Sequence, residues 1–235
     1  MLLFIANDTL AQYTISIVKT DGSIPVEIST SLISQMVFYP ACPGTPTVDY
    51  SGKTYNTVQI GDQCWLKENL DVGTRVDGDT YQTDNMIIEK YCYDNDPDNC
   101  DDYGGLYEWG ETVQYAGSPE GSKGICPEGW HVPTETDFNI LSNTVENDGN
   151  ALKAIGQGTG GGAGTNASGF SVLLAGYCSG GLGLFSYFGD SGIIWSSTPV
   201  GSTNALSLFL NSSDATIYYP SYIIDLGVNV RCIKD

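Results

Sequence analysis

Apolar and polar residues alternate along several separate stretches of this chain. Tyr13 to Val18 alternates at period two, and an Asp21-Gly22 turn signal leads toward Pro25 to Ile28, which predicts two short strands. Leu106, Trp109 and Val113 fall at helical spacing within Gly104 to Tyr115. Phe138, Leu141 and Val145 do so between Thr134 and Asn147, and Thr134 with Asp137 reads as the capping box that starts that helix. Ala151 to Ile155 reads as a further short helix, and Phe170 to Tyr177 as a return to strand.

The C-terminal region carries the strongest pattern. Leu206, Leu208 and Leu210 fall on one face of a strand from Ala205 to Leu210, with Ala205, Ser207 and Phe209 on the other, the signature of a half-buried strand. Asn211-Ser212-Ser213-Asp214 then reads as a turn into a second strand, Ala215 to Tyr219. A closing strand sets Val228, Val230 and Cys232 on one face and Asn229 and Arg231 on the other. Between them Tyr218-Tyr219-Pro220-Ser221-Tyr222-Ile223-Ile224 is too irregular for a central strand, yet unusually apolar for a surface connection. Contiguous exposed aromatics mark interaction sites, and tyrosine with Ser, Gly and Asn is the composition of paratopes. The alternative is that these side chains fold under and complete the core. Leu182 to Phe188 reads as a loop or ribbon beside this face, bordered by Tyr187 and Phe188.

Composition narrows the picture. A length of 235 residues with 41% hydrophobic residues and 29 glycines suits one sizeable globular domain rich in turns. No polar linker divides the chain after Cys42, so residues 42–235 read as the main domain and 1–41 as a small β extension or a partner-binding arm. Met1 to Ala6 is apolar but lacks a basic flank and is short for a signal-peptide core. A formal net charge of -19 argues against nucleic acid as a partner, because phosphates would be repelled. No run approaches the ~18 apolar residues of a membrane span.

Candidate chemistry is sparse. Asp94, Asp96 and Asp98 occupy the first, third and fifth places of a calcium loop, but Asn99 stands where glycine belongs and Gly105 where a bidentate glutamate belongs. The alternative is a solvated acidic loop clamped by Cys92 and Cys100. Glu108 and Glu111 share a helix face, a spacing that permits acid and base work and that surface helices also carry routinely. His131 is the only histidine, so any triad would need it, and its setting reads as a structural turn. Gly156 to Gly164 lacks the Gly-Lys-Ser/Thr ending of a phosphate loop and reads as a flexible loop. Asn166-Ala167-Ser168 and Asn211-Ser212-Ser213 are formal glycosylation sequons. The seven cysteines fit no zinc framework.

Ordered motifs over residues 42–235 resemble the Fibrobacter succinogenes major paralogous domain. They are Tyr55-Asn56-Thr57-Val58-Gln59-Ile60-Gly61-Asp62-Gln63-Cys64-Trp65-Leu66-Lys67-Glu68-Asn69-Leu70, Tyr103-Gly104-Gly105-Leu106-Tyr107-Glu108-Trp109, Cys126-Pro127-Glu128-Gly129-Trp130-His131-Val132-Pro133-Thr134, and Trp195-Ser196-Ser197-Thr198 with Val230-Arg231-Cys232. The resemblance implies an α+β chain of C-type-lectin-like fold, in the branch of the formylglycine-generating enzymes, with two short helices and a small antiparallel sheet among many loops. It also implies disulfides Cys42–Cys64 and Cys126–Cys232 beside the locally suggested Cys92–Cys100, leaving Cys178 over. The active cysteine pair of the formylglycine-generating enzymes is not matched, since only Cys178 and Cys232 lie in that region, without its context.

Some proteins of this kind are variable proteins of diversity-generating retroelements, rewritten near the C-terminus at adenine-rich codons. Such rewriting of asparagine-type codons yields no Lys, Glu, Gln, Met or Trp, and Ser196 to Val230 contains none. Gly158 to Ile194 lacks them too, so location adds more: Tyr219, Tyr222, Ile223 and Ile224 stand where the paralogous domain tends to carry Asn and Ser. The resulting expectation is a non-enzymatic ligand-binding protein with a variable segment at 199–226. Its expected contact residues are Val200, Ser207, Phe209, Asn211, Thr216, Tyr218, Tyr219, Ser221, Tyr222 and Ile223. It would require no cofactor, with calcium at Asp94, Asp96 and Asp98 as an option. The expected partner is a protein or glycan on another cell or a virus, met outside the cell or on a cell or virion surface, as the disulfides also suggest. The alternative is a constant adhesin or carbohydrate-binding module.

Overall fold

The computed structural model describes residues 14–17, 26–29 and 39–235, and the chain forms two compact units, Met1–Phe38 and Tyr39–Asp235. In the first, β1 (Thr14–Ile17) pairs antiparallel with β2 (Val26–Ser29), Ile15 opposite Ile28. Met1 to Ala6 and the Asp21-Gly22 turn lie outside the described residues. The second unit begins at Tyr39, whose ring lies 5.4 Å from the Lys67 ammonium and whose hydroxyl donates to the Asn166 carbonyl.

The second unit opens with β3 (Thr47–Tyr50), β4 (Lys53–Ile60), β5 (Gln63–Leu66) and the two-residue β6 (Thr74–Arg75) and β7 (Glu89–Lys90). Two short helices follow, α1 (Pro97–Tyr103) and α2 (Trp109–Thr112), then β8 (Trp130–His131), α3 (Glu135–Thr144) and α4 (Gly149–Leu152). The remainder is strand and loop: β9 (Tyr177–Ser179), β10 (Leu184–Ser186), β11 (Ser191–Val200), β12 (Asn204–Asn211), β13 (Ser221–Ile223), β14 (Leu226–Gly227) and β15 (Ile233–Lys234). They build a five-stranded sheet ordered β3-β4-β5-β15-β8, two three-stranded sheets ordered β11-β12-β13 and β10-β9-β14, and a parallel pair β6-β7. Few helices among several antiparallel sheets make this an α+β architecture.

The sheet β11-β12-β13 lies between two apolar clusters. Ala205, Ile193 and Trp195 pack with Tyr107, Val228 and Val230 on one side. Leu206, Leu208, Leu210 and Ile194 pack with Trp65, Phe138 and Phe170 on the other. The alternation in β12 is therefore real, but both faces are covered, and the strand is buried rather than half-buried.

Local signals account for the helices. The capping box of α3 forms as read, Thr134 accepting from the Asp137 amide and Asp137 from the Thr134 amide, and Phe138 and Leu141 are buried. The Gly104 to Tyr115 helix shrinks to α2, because the chain before it is bound elsewhere: the Leu106 amide donates to Tyr91 and the Tyr107 amide to Val228. Phe170 to Tyr177 is not a strand; Val172 makes only an isolated bridge to Lys153. Likewise Ala215 to Tyr219 bridges only at Tyr218, and the paired strand lies later, at β13.

Disulfides join Cys42 to Cys64, Cys92 to Cys100 and Cys126 to Cys232. The last closes a separation of 106 residues, worth about 4–5 kcal/mol on a chain-entropy estimate. Cys178 is free and buried, and burial pushes its thiol up to about 12. Among the described residues no helix is long and apolar enough to cross a membrane.

Candidate ligand-binding surface

The C-terminal segment is fastened at both ends by side chains. At its start, the indole of buried Trp195 donates to the Tyr107 carbonyl at 2.9 Å, and Ser197 donates to Val132 at 3.0 Å. The Trp109 indole reaches the Ser196 carbonyl at 2.8 Å. At its end, Asn229 donates to the carbonyls of Tyr103 and Gly105, and Arg231 gives Nε and Nη2 to Asn69 Oδ1 at 3.2 and 2.7 Å. Arg231 also donates to the Phe170 carbonyl and stacks over that ring at 4.5 Å. Its burial, with no carboxylate bonded to it, pushes the guanidinium down to about 10. The expected closing strand is not one strand: Val228 and Asn229 make only isolated bridges between the two-residue β14 and β15, and Asn229 and Arg231 are both inside, because polar carbonyls and an amide line their surroundings.

Between these ends the scaffold mainly grips main chain. Lys153, fully buried, donates from its ammonium to the carbonyls of Asn211 (2.9 Å), Asp214 (2.8 Å) and Gly162. Three donors meet three carbonyls, so the charge is satisfied although burial lowers its pKa. The Thr159 amide donates to Ser212 and the Gly149 amide to Ala215, both at 2.7 Å. The Ser212 amide reaches Asp190 and the Trp109 amide reaches Ile224, while the Ile224 amide bonds Thr203 within the segment itself. The glycine-rich run is therefore a cradle rather than a flexible loop. A Cβ on Gly162 would stand 2.4 Å from the Ser212 carbonyl, so only glycine permits this approach.

The expected contact residues divide. Ile223 is 57% exposed, Val200 42% and Tyr218 39%, and Thr216 and Ser221 are also exposed. Phe209, Asn211, Tyr219 and Tyr222 are half-buried. Asn211 spends its amide within the turn, Oδ1 accepting from the Ser213 and Asp214 amides and Nδ2 donating to Asp214. The Tyr219 hydroxyl turns inward to Ser142 and to the Phe138 carbonyl. Ser207 is corrected outright: it is fully buried, its hydroxyl bonded to the Pro220 carbonyl at 3.1 Å, because the second face of β12 is covered. Tyr218, Ser221 and Ile223 follow the open edge beyond β12, whereas Val200 lies on β11, on the other side of β12, so the exposed residues do not form a compact face. Val200 and Ile223 both pair at Asn204, and Tyr218 pairs at Phe209, roughly 17 Å farther along β12.

The calcium reading is also corrected. Asp96-Pro97 starts α1, with the Asp96 carboxylate accepting from the Asp98 amide, so Asp94, Asp96 and Asp98 do not converge. Among the described residues no group of His, Cys, Asp or Glu is arranged to hold a metal ion. Glu108 and Glu111 face different partners. Glu108 accepts from Tyr91 at 2.5 Å and burial pushes it up to about 7, whereas Glu111 bonds Gln114 and Tyr115. His131 contacts carboxylates on both sides, Asp235 at 2.7 Å and Asp137 at 3.4 Å. The amide of the Asn166 sequon is buried against Ser171, and that of Asn211 is used in its turn. A cavity of about 320 Å³ lies elsewhere, between Lys53, Lys67, Asp71, Asp102, Tyr103 and Arg231, and none of the expected contact residues lines it.

Lys153 was not among the residues singled out in the sequence. It is the last base before Arg231, but its three acceptors are backbone carbonyls, which no side-chain pattern marks.

No curated protein and no solved structure matches this chain. The family model of the Fibrobacter succinogenes major domain matches residues 58–234, a span that contains both sets of anchors and everything between them, and the chain belongs to that family.

Proposed function

We propose that this chain is a non-enzymatic ligand-binding protein that presents residues 199–226 as a changeable surface on a fixed scaffold of the C-type-lectin-like kind, as variable proteins of diversity-generating retroelements do. One observation carries the reading: the segment is fastened by buried side chains at both ends and mainly by main-chain atoms in between. Main-chain anchoring is indifferent to side-chain identity, so outward positions can change without refolding. Val200, Thr216, Tyr218, Ser221 and Ile223 are the proposed contacts, with Tyr222 and Phe209 contributing their exposed edges. The ligand is a protein or glycan on another cell or a virus. Three disulfides, with no membrane-crossing helix among the described residues, fit a secreted or extracellular protein, and we place it outside the cell or on a cell or virion surface.

Sequencing the 3′ end of the gene across many cells of its source population tests this. Substitutions concentrated between Pro199 and Leu226, with Trp195 and Arg231 constant, are expected. An invariant segment would leave a constant adhesin or carbohydrate-binding module instead.

A further inference from the structure

A second apolar surface is built from residues outside the 199–226 segment. The rings of Tyr103, Phe188, Tyr93 and Phe185 follow one another at centroid distances of 4.7, 4.7 and 5.3 Å. Tyr177 and Tyr187 stack at 5.7 Å. Three separate parts of the chain therefore meet here: α1 with the turn before it, β9, and β10 with the residues after it. Tyr187 is 59% exposed and Phe188 39%, and Leu182, Leu184 and Tyr81 are exposed as well. Large exposed apolar residues gathered in this way mark interaction surfaces.

The backbone under this shelf is held in an unfavourable form. Tyr187 has φ 61°, the left-handed region that a bulky side chain rarely adopts. Its carbonyl accepts from both the Asp190 and Ser191 amides, which fixes it there. Gly176 allows the approach, since a Cβ on it would stand 2.3 Å from the Ser186 carbonyl. The surroundings thus hold an aromatic ring outward at a cost in strain of order 1 kcal/mol or more.

Charge indicates what the shelf would receive. Asp94 adjoins Tyr93, Asp102 adjoins Tyr103 and Asp190 follows Phe188, all exposed. The nearby bases are engaged: Arg75 with Asp77 and the Asn95 carbonyl, Lys53 with Asp71 and Asp101, Lys90 with Asp71, and Lys67 over the Tyr39 ring. No Lys or Arg occurs from Ala154 to Val230. Exposed aromatic faces ringed by carboxylates suit a guanidinium, which stacks on a ring while its edge pairs with an acid. A second copy of the chain is a poor occupant, because its own -19 would be brought against the same acids.

We infer that this aromatic shelf docks an arginine-bearing polypeptide, adding an interaction that stays the same whatever residues 199–226 contain. The shelf does not depend on that segment varying.

Titration of the full chain with a fluorescent arginine–glycine repeat peptide tests it, with a lysine–glycine repeat and cellohexaose as alternatives. The arginine peptide is expected to bind more tightly than the lysine peptide, and salt to weaken it. Tyr187→Ala with Phe188→Ala is expected to weaken binding about ten-fold. Asp94→Asn with Asp102→Asn, which leaves every ring in place, is expected to weaken it less, and Ile223→Ala to leave it unchanged. Equal binding by the Tyr187/Phe188 variant would mean diffuse attraction to an acidic protein and would overturn the proposal. So would binding of cellohexaose in place of the peptide. None of these outcomes bears on whether residues 199–226 vary, which the population sequences decide.

Discussion

The two ends of the C-terminal segment and the stretch between them are held by opposite means. At the ends, Trp195, Ser197, Asn229 and Arg231 are buried and each spends its own side chain on carbonyls or amides of distant motifs. Between them, most of the bonds to the scaffold leave from or arrive at main-chain atoms. Side-chain identity is thus structurally costly to change at the ends and cheap at the outward-facing positions between them. Such a division lets one fold carry many surfaces.

The largest expected effect is at an end. Arg231→Ala should leave a cavity and strand Asn69 Oδ1 and the Phe170 carbonyl, lowering the free energy of unfolding in guanidinium chloride by about 3–5 kcal/mol. A loss below ~1 kcal/mol would show that the end is not an anchor. Next comes the cradle: Lys153→Met should cost about 2–3 kcal/mol, with faster amide hydrogen exchange confined first to residues 211–216.

Ser207 sharpens the comparison within the segment itself. Ser207→Tyr should overpack the covered face and cost about 1–3 kcal/mol, whereas Thr216→Ala should stay within about 0.5 kcal/mol. Equal effects of the two on thermal unfolding would erase the distinction between inward and outward positions.

The smallest effect is pH-dependent. The hydrogen bond to Asp137, opposed by burial and joined by Asp235, raises His131 above its ordinary 6.5. A raised folded value means that protonated His131 adds stability fully below 6.5, and that this is lost as pH rises through the folded value. The stability difference between wild type and His131→Asn should therefore shrink across that window. Taking the difference cancels Glu108, whose elevation from 4.5 to about 7 lowers stability as pH rises between those values, into the start of the His131 window.

Local signals were legible in the sequence. The Thr134–Asp137 box, the strand at Ala205 to Leu210 and the paired strands at Thr14–Ile17 and Val26–Ser29 depend on neighbours within a few residues, and they formed where the pattern put them. Alternation also assigned Ser207 and Arg231 to definite faces, but it does not tell what covers a face, and both faces here are covered. Asp96-Pro97 is a helix-start signal that the acidic spacing obscured. The Lys153 cradle was illegible for a different reason: it joins Gly162 to residues about fifty positions away through carbonyls, which leave no mark on side-chain sequence. Of the candidate surface, composition led to the exposed Tyr218, Ser221 and Ile223, but not to the inward turn of Tyr219 or to the place of these residues at a sheet edge.

The central claim is that the outward-facing residues between the anchors are interchangeable because the main chain holds them. The direct test is guanidinium unfolding of one protein carrying Val200→Thr, Thr216→Asn, Tyr218→Ser, Ser221→Asn and Ile223→Thr together. The account predicts a cooperative transition within about 1–2 kcal/mol of wild type. A loss as large as that of Arg231→Ala, or a broad non-cooperative transition, would contradict it.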